Sequence, residues 1–347
     1  MPHLRKSVLF ALVVALGAAH ANAQTPAPTV PGYAQGQPGY GQPQPGYVAY
    51  PVAQPSRKRT QLELGTLYGM SAVYGVGMGT WISAEAGIKD PGVFLISPVI
   101  LGVAAPVGVY FLDQPQMPKG MPLAIATGLL IGAGEGVGIA TYQITSAPTS
   151  QESWGFRGFA RSTAIGATVG GVGGFLAGYY LEPSPRSSLL TGTGVLLGTA
   201  IGAMYGYGVS PAHESSKRVN EWPALGGLIG LNVAVVGTAA LSTVWVPSYE
   251  QIGWMWGGAG IGAVVSLPVF LLYTGGSAPA QRGFIFMGTA TLLGAVAGAV
   301  FAPGSGPVQI GDREASDSDP PSLVTISYVA PLMTPGGLGV QVGGVLF

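Results

Sequence analysis

The fold of this chain is decided by residues 158–206, which read GFARSTAIGATVGGVGGFLAGYYLEPSPRSSLLTGTGVLLGTAIGAMYG. A small residue recurs every four positions in the first half, and the pattern resumes after a polar break. Because four residues are a little over one helical turn, each series lines one helix face with almost no side chain. Large apolar residues occupy the opposite face. The pattern predicts helices that pack through glycine faces, as helices do in lipid, where burial of apolar surface gives no driving force.

The same four-residue spacing recurs in 124–140 and, more briefly, in 290–302. A chain with 58 glycines matches such a spacing by chance in places, but here the small residues stay in phase over about five turns. We therefore predict a glycine zipper, a set of helix-packing positions on which neighbouring backbones meet. These positions are Gly128, Gly132, Gly136, Gly166, Gly170, Gly174, Gly178, Gly194, Gly198, Gly202 and Gly206.

The composition is that of a membrane protein. Of 347 residues, 48% are hydrophobic and only 8% are charged, whereas soluble domains average about 25% charged residues. The formal net charge is zero, which gives no electrostatic footprint for nucleic acid. The absence of cysteine excludes disulfides and thiolate metal sites. With only three histidines in the chain, a metal site built from histidine ligands is not expected. We expect no metal and no cofactor.

Residues 1–23 have the features of a secretory signal peptide. Arg5 and Lys6 form a charged start, 8–19 form an apolar run, and Ala-Asn-Ala at 21–23 forms a cleavage site. An uncleaved anchor helix is the alternative, but the apolar run is too short to span a bilayer well. The sequence predicts cleavage and export to the cell envelope, with the inner and the outer membrane both left open.

Residues 24–61 form a linker rich in Pro, Gly, Gln and Tyr, in which Pro-Gly-Tyr recurs every seven residues. Such a segment has no apolar core to bury, so we expect extended, solvated backbone. A plain spacer is one interpretation. Contact of Tyr33, Tyr40 and Tyr47 with cell-wall glycan or a partner protein is the other.

Residues 62–303 contain eight apolar segments whose glycine-rich centres lie about 32 residues apart, as expected of one unit copied along the chain. Each segment has enough residues to cross about 30 Å of hydrocarbon as a helix. Pro98, Gly102 and Pro106 predict a kinked or partly unwound second segment. The predicted fold is all-α and membrane-type, with about eight glycine-zipper helices in repeated hairpins. The segments are 62–82, 92–112, 121–144, 158–181, 188–209, 223–246, 252–274 and 283–302.

Two alternatives compete with spanning helices. Lys and Arg are divided evenly between the two predicted sides, so the loops show no positive-inside bias. That balance would also fit a helical stack outside the bilayer, held together by glycine contacts. A β-barrel is the other alternative, although 93–96 and 267–272 lack the alternation of apolar and polar residues that barrel strands show.

The C-terminal tail differs in composition from the helical region. Residues 304–321 are acidic and rich in Pro and Ser, which predicts a linker, and 322–347 predict a β-hairpin. The terminal Phe resembles the C-terminal recognition signal of outer-membrane barrels. However, Gln341, Gly343 and Val345 stand where that signal prefers aromatic residues.

Polar residues within the apolar segments are the candidate functional residues, because their burial in lipid is costly. Glu135 lies in the middle of the third segment, Asn232 near the middle of the sixth, and Arg161 in the first turns of the fourth. One hypothesis pairs Glu135 with Arg157 or Arg161 as a proton or cation site. The other makes Glu135 a carboxylate that hydrogen-bonds a neighbouring helix or faces a watery groove.

Two functions therefore compete. The first is a non-enzymatic membrane or cell-envelope scaffold, in contact with lipid and self-associating through glycine faces. The second is a pore or transporter for a small solute or ion, with Glu135 as its buried carboxylate. We expect no enzyme, because no nucleophile, base and orienting group form a motif. The glycines at 192–198 mimic a dinucleotide loop without the strand and the acidic residue that such a loop needs.

Overall fold

The computed structural model describes residues 59–147, 153–211, 220–275 and 279–302, with the backbone of 324–334 and 337–346. Two antiparallel strands, β1 (Val324–Thr334) and β2 (Gly337–Leu346), end the described chain. The predicted signal peptide, the linker up to residue 58 and the acidic linker lie outside the described residues. The described part before the strands forms eight helices: α1 (Gln61–Glu85), α2 (Pro91–Leu112), α3 (Met121–Ser146), α4 (Gly155–Leu181), α5 (Pro185–Val209), α6 (Trp222–Leu241), α7 (Tyr249–Gly275) and α8 (Ala280–Phe301).

Seven of these helices, α2 to α8, are long and apolar enough to cross a membrane. Their length and composition indicate an integral membrane protein. The predicted number of eight helices is confirmed over the described residues, and seven of them have the length and composition of spanning helices. In α1 the Gly, Thr, Ser and Tyr residues dilute the apolar character. The β-barrel alternative is not supported, since each of the eight apolar segments is helical over most of its length.

Small residues form the interior of the helical region, and large apolar residues face outward. On α4, Ala164 is 2% exposed whereas Val169 is 65% exposed. On α8, Ala295 is 4% exposed and Phe301 is 81% exposed. A water-soluble helical stack would not leave so much apolar surface uncovered, whereas lipid covers it without cost. The outward-facing large side chains are therefore consistent with contact with lipid.

Consecutive helices pack as pairs, namely α1 with α2, α3 with α4, α5 with α6, and α7 with α8. The pairs then join in chain order, because α1 contacts α3 and α4, α3 contacts α5 and α6, and α5 contacts α8. Among the described helices, no extensive packing joins the first pair to the last. The helical region is therefore an open row of four helical hairpins.

The start of α1 is fixed by a capping box that also reaches the next hairpin. Thr60 Oγ1 accepts from the Glu63 backbone N–H at 3.2 Å, and Glu63 Oε1 accepts from the Thr60 backbone N–H at 2.9 Å. The other oxygen of the fully buried Glu63 accepts from the Gly120 backbone N–H at 2.6 Å. The buried carboxylate thus ties the first turn of α1 to the residue that precedes α3.

The second apolar segment is interrupted at Leu95. Pro98 has no N–H to donate to the carbonyl four residues earlier, which belongs to Phe94. Ser83 on α1 donates its hydroxyl to that carbonyl at 2.8 Å. The break lies one turn before Pro98, because that proline frees the carbonyl of the preceding turn, whereas Pro106 lies inside continuous helix.

Candidate functional site

The contact between α3 and α4 is made by backbone atoms. A Cβ placed at Gly132 would overlap the Gly166 carbonyl oxygen and lie 2.8 Å from the Gly170 Cα. A Cβ at Gly128 would lie 2.8 Å from the Gly174 Cα. Gly136 meets the Ser162 carbonyl in the same way, and Ser162 donates its hydroxyl to the Gly136 carbonyl at 2.9 Å. At these positions only glycine permits the observed helix separation.

The α5–α6 pair uses the same kind of contact. A Cβ at Gly202 would overlap the Gly226 carbonyl oxygen and lie 2.8 Å from the Gly230 Cα, and Gly198 meets the Gly230 carbonyl oxygen. Gly206 lies against the Trp222 carbonyl. Gly226 and Gly230 were missed by the sequence analysis, although their spacing of four residues was a signal for them.

The two outer hairpins differ in whether both of their helices supply glycines to the backbone contact. On α7, Gly258 and Gly262 face the backbone of Gly294 and Ala290 on α8. On α1, Gly75 faces the Leu101 carbonyl, so the partner on α2 is not a glycine. All four hairpins therefore contain glycines against backbone, and in the first hairpin only one helix supplies them at this contact.

Two predicted packing positions meet side chains and not backbone carbonyls. The nearest atom to a Cβ at Gly178 would be Met121 Cγ at 3.1 Å, and the nearest to one at Gly194 would be Thr238 Cγ2 at 2.5 Å. A side chain can change its rotamer, whereas a helical carbonyl cannot move alone. Gly178 and Gly194, each at one end of its glycine series, should therefore tolerate a larger residue better than the central glycines do.

The structure joins two of the three predicted site residues. Asn232 Nδ2 donates to Glu135 Oε1 at 2.6 Å and also to the Leu228 carbonyl at 2.9 Å. Glu135 is half-buried and Asn232 is exposed. Leu231 lies beside Gly134, where a Cβ would be 2.7 Å from its Cδ1. The amide and carboxylate thus form a polar link between α3 and α6, which belong to neighbouring hairpins.

Arg161 does not join that link. Its Nε donates to Glu85 Oε1 at 2.6 Å, at the C-terminal end of α1. Arg157 Nε lies 4.0 Å from the other Glu85 oxygen and donates to the Ala84 carbonyl at 3.2 Å. The expected pairing of Glu135 with one of these arginines is not formed, because Glu135 faces α6 and the arginines face α1.

The Glu85 carboxylate lies beyond the apolar segment 62–82 and accepts several charge-stabilising hydrogen bonds. Trp81 Nε1 donates to Glu85 Oε1 at 3.0 Å. The hydrogen bond from Trp81 and then that from Arg161 hold the pKa of Glu85 below its ordinary value. The sequence analysis missed this cluster, although Trp81 and Glu85 stand four residues apart on one helix face.

A second polar cluster lies at the start of α1. Arg59 forms an ion pair with Asp113, and Asp113 Oδ1 accepts from the Met117 backbone N–H at 3.1 Å. Arg59 and Asp113 are largely buried. Since the carboxylate oxygens of Asp113 bind the guanidinium and the backbone, the cluster fixes the connection after α2. It holds no free nucleophile or base for a reaction.

In the part of the chain that the structure describes, no three His, Asp or Glu residues lie close enough together to hold a metal ion. The expectation of no cofactor stays a prediction. No family model, no curated protein and no solved structure matches this chain.

Proposed function

We propose that this integral membrane protein is a non-enzymatic scaffold of the cell envelope, assembled through a glycine zipper. The observation that supports the proposal most directly is the backbone contact at glycines in all four hairpins. Lipid gives no hydrophobic driving force between helices, so close backbone approach supplies van der Waals contact and weak Cα–H···O bonds. Such a surface suits fixed packing, because two interdigitated backbones have no flexible side chain that could rearrange.

Export through a cleaved signal peptide and location in the envelope belong to the same proposal. The part of the 24–61 linker that precedes Arg59 would then extend outside the bilayer and contact cell-wall glycan or a protein partner. Self-association through glycine faces is also proposed. Glycines with nothing within 4 Å lie on helices of all four hairpins, for example Gly69 on α1, Gly173 on α4, Gly237 on α6 and Gly257 on α7. A second copy would approach at such open glycines.

The test complements a deletion strain with wild type, Gly170→Leu or Glu135→Gln and measures leakage of an exported enzyme into the medium. A scaffold predicts rescue by wild type and by Glu135→Gln, and failure of Gly170→Leu. Loss of rescue in Glu135→Gln at wild-type protein level would contradict the scaffold and favour transport. Density-gradient fractionation of the envelope, with carbonate extraction of each fraction, identifies the membrane that holds the protein.

Transport is the second candidate, and the Glu135–Asn232 link supports it. A carboxylate in the middle of a spanning helix is costly, so its retention favours a role in moving a proton or a small cation. The test measures solute flux in proteoliposomes for wild type, Glu135→Gln and Glu135→Ala. Transport predicts that both variants lose flux while the folded protein is recovered in normal amounts. Flux that is absent from wild type, or unchanged in Glu135→Gln, contradicts it.

A further inference from the structure

An apolar groove of about 570 Å³ runs along α5 between α6 and α8. Its floor extends from Gly194 to Val209, and its walls include Ile229 of α6 and Leu292 and Val296 of α8. Because α6 and α8 both pack on α5, and the close glycine contact of α5 with α6 carries no side chain above it, a groove remains over that contact. Fifteen residues of helix measure about 22 Å, which exceeds one leaflet of a hydrocarbon layer about 30 Å thick.

One end of the groove lies beside an exposed cation. Val209 lines that end, and a Cβ at the adjoining Gly208 would lie 3.1 Å from the Gln281 carbonyl oxygen of α8. Arg282 is the next residue and is exposed. Among the described residues no carboxylate forms an ion pair with Arg282, and Glu221, at the start of α6, forms none with any cation.

The face of α8 that carries this cation leads into the groove. Arg282, Thr289 and Val296 are spaced seven residues apart and therefore lie close to one line along the helix. Thr289 forms a hydrogen bond of 2.8 Å with the hydroxyl of Tyr205, which lines the groove. Along α8 this face therefore presents first a cation, then two hydroxyl groups that hydrogen-bond each other, and then an apolar groove wall. An amphipathic ligand with an anionic end has the same order of chemistry.

We propose that the groove binds an acyl chain of an anionic membrane phospholipid, whose phosphate lies at Arg282. The volume is within the range of about 300–1,000 Å³ for small-molecule sites. Basic residues at the membrane surface attract anionic lipid headgroups, and Arg282 supplies such a charge near the end of the apolar groove.

The experiment measures the lipid retained by the purified full-length protein after exchange into phosphatidylglycerol or phosphatidylcholine of the same chain length. We expect wild type to retain phosphatidylglycerol preferentially, and Arg282→Gln to retain about fivefold less of it, since one arginine contributes about 1 kcal/mol to anionic lipid binding. Lys89→Gln is the matched control, because it removes an exposed charge on the α1–α2 connection and should bind as wild type.

Filling the groove gives an independent readout. Val296→Trp places a larger side chain in the wall and should reduce retention of both lipids while Arg282 remains. Equal retention of the two lipids by wild type, or unchanged phosphatidylglycerol retention in Arg282→Gln, would overturn the proposal. Groove cross-links between two copies of the chain would overturn it as well. If Val296→Trp fails to fold, Arg282→Gln still decides the question.

Discussion

Replacement of Gly170 by alanine should open the α3–α4 hairpin, whereas the same change three residues later should not. A Cβ at Gly170 would overlap the Gly128 carbonyl oxygen and lie 2.7 Å from both the N and the Cα of Gly132. A Cβ at Gly173 would have nothing within 4 Å. Both residues are in the interior of α4, so the two substitutions make the same change in helix propensity.

The magnitude follows from two opposing terms. Alanine in place of an interior helical glycine stabilises the helix by about 1 kcal/mol. An added carbon in a close-packed contact costs about 1–3 kcal/mol, and more where the neighbours are backbone and cannot change rotamer. Gly173→Ala should therefore be neutral or stabilising by up to about 1 kcal/mol. Gly170→Ala should be destabilising by up to about 2 kcal/mol, and Gly170→Leu by considerably more.

The assay is reversible unfolding of the purified protein in mixed micelles, followed by helical circular dichroism and by protease susceptibility of the α3–α4 connection. The expected order of unfolding free energy is Gly173→Ala at or above wild type, then Gly170→Ala, then Gly170→Leu. Equal stability of Gly170→Ala and Gly173→Ala would refute the backbone-contact argument, because helix propensity alone predicts that equality.

Three further predictions test other contacts. Gly202→Ala should destabilise the α5–α6 pair by up to about 2 kcal/mol, by the same balance of overpacking and helix propensity as at Gly170, while Gly237→Ala, which meets nothing within 4 Å, should not, as judged by the same unfolding assay. Asn232→Leu should cost about 0.6–1.7 kcal/mol, the range of interhelical hydrogen bonds in membranes, and should loosen α6 from α3 in cysteine cross-linking. Because the pKa of Glu85 is lowered in the folded protein, its stabilising effect is present above the unfolded value of about 4.3 and is lost as the pH falls through the folded value. The melting temperatures of wild type and Glu85→Gln should therefore differ at neutral pH and converge as the pH falls below the folded pKa of Glu85. A difference independent of pH would contradict the linkage.

The helical class could be predicted from sequence because glycine spacing and apolar length are local properties. Gly132 and Gly170 were identified on their own helices, without knowledge of which helix faced which. Their pairing depends on where each chain reversal falls. It was predictable only in outline, since a short connection places consecutive helices side by side. The lower hydropathy of α1 was not predicted, because a count of apolar residues overlooks how Gly, Thr and Tyr lower the mean hydropathy of a helix.

The candidate polar site was predicted less well, and the reason is geometric. Asn232 and Glu135 lie 97 positions apart, and their contact depends on the rotation of α3 and α6 about their axes. Arg161 projects from α4 toward α1, although its distance along the chain from Glu135 made a pairing plausible. Opposite charges can pair only when their side chains point into the same helix–helix interface. Sequence spacing does not determine which helix that face meets.

Two kinds of contact hold the row of hairpins together, and they act at different levels. Within three of the hairpins, glycines of both helices place backbone against backbone, which is insensitive to side-chain rotamers. Between hairpins, side-chain hydrogen bonds recur, such as Tyr74 with Thr168 at 2.9 Å and Tyr205 with Thr289 at 2.8 Å. In a membrane, a backbone contact over several turns is lost only when two helices separate, whereas a single hydrogen bond of about 0.6 kcal/mol is readily exchanged. A change at Tyr205 should thus loosen one hairpin from the next and leave each hairpin closed, while a glycine change opens a hairpin from within.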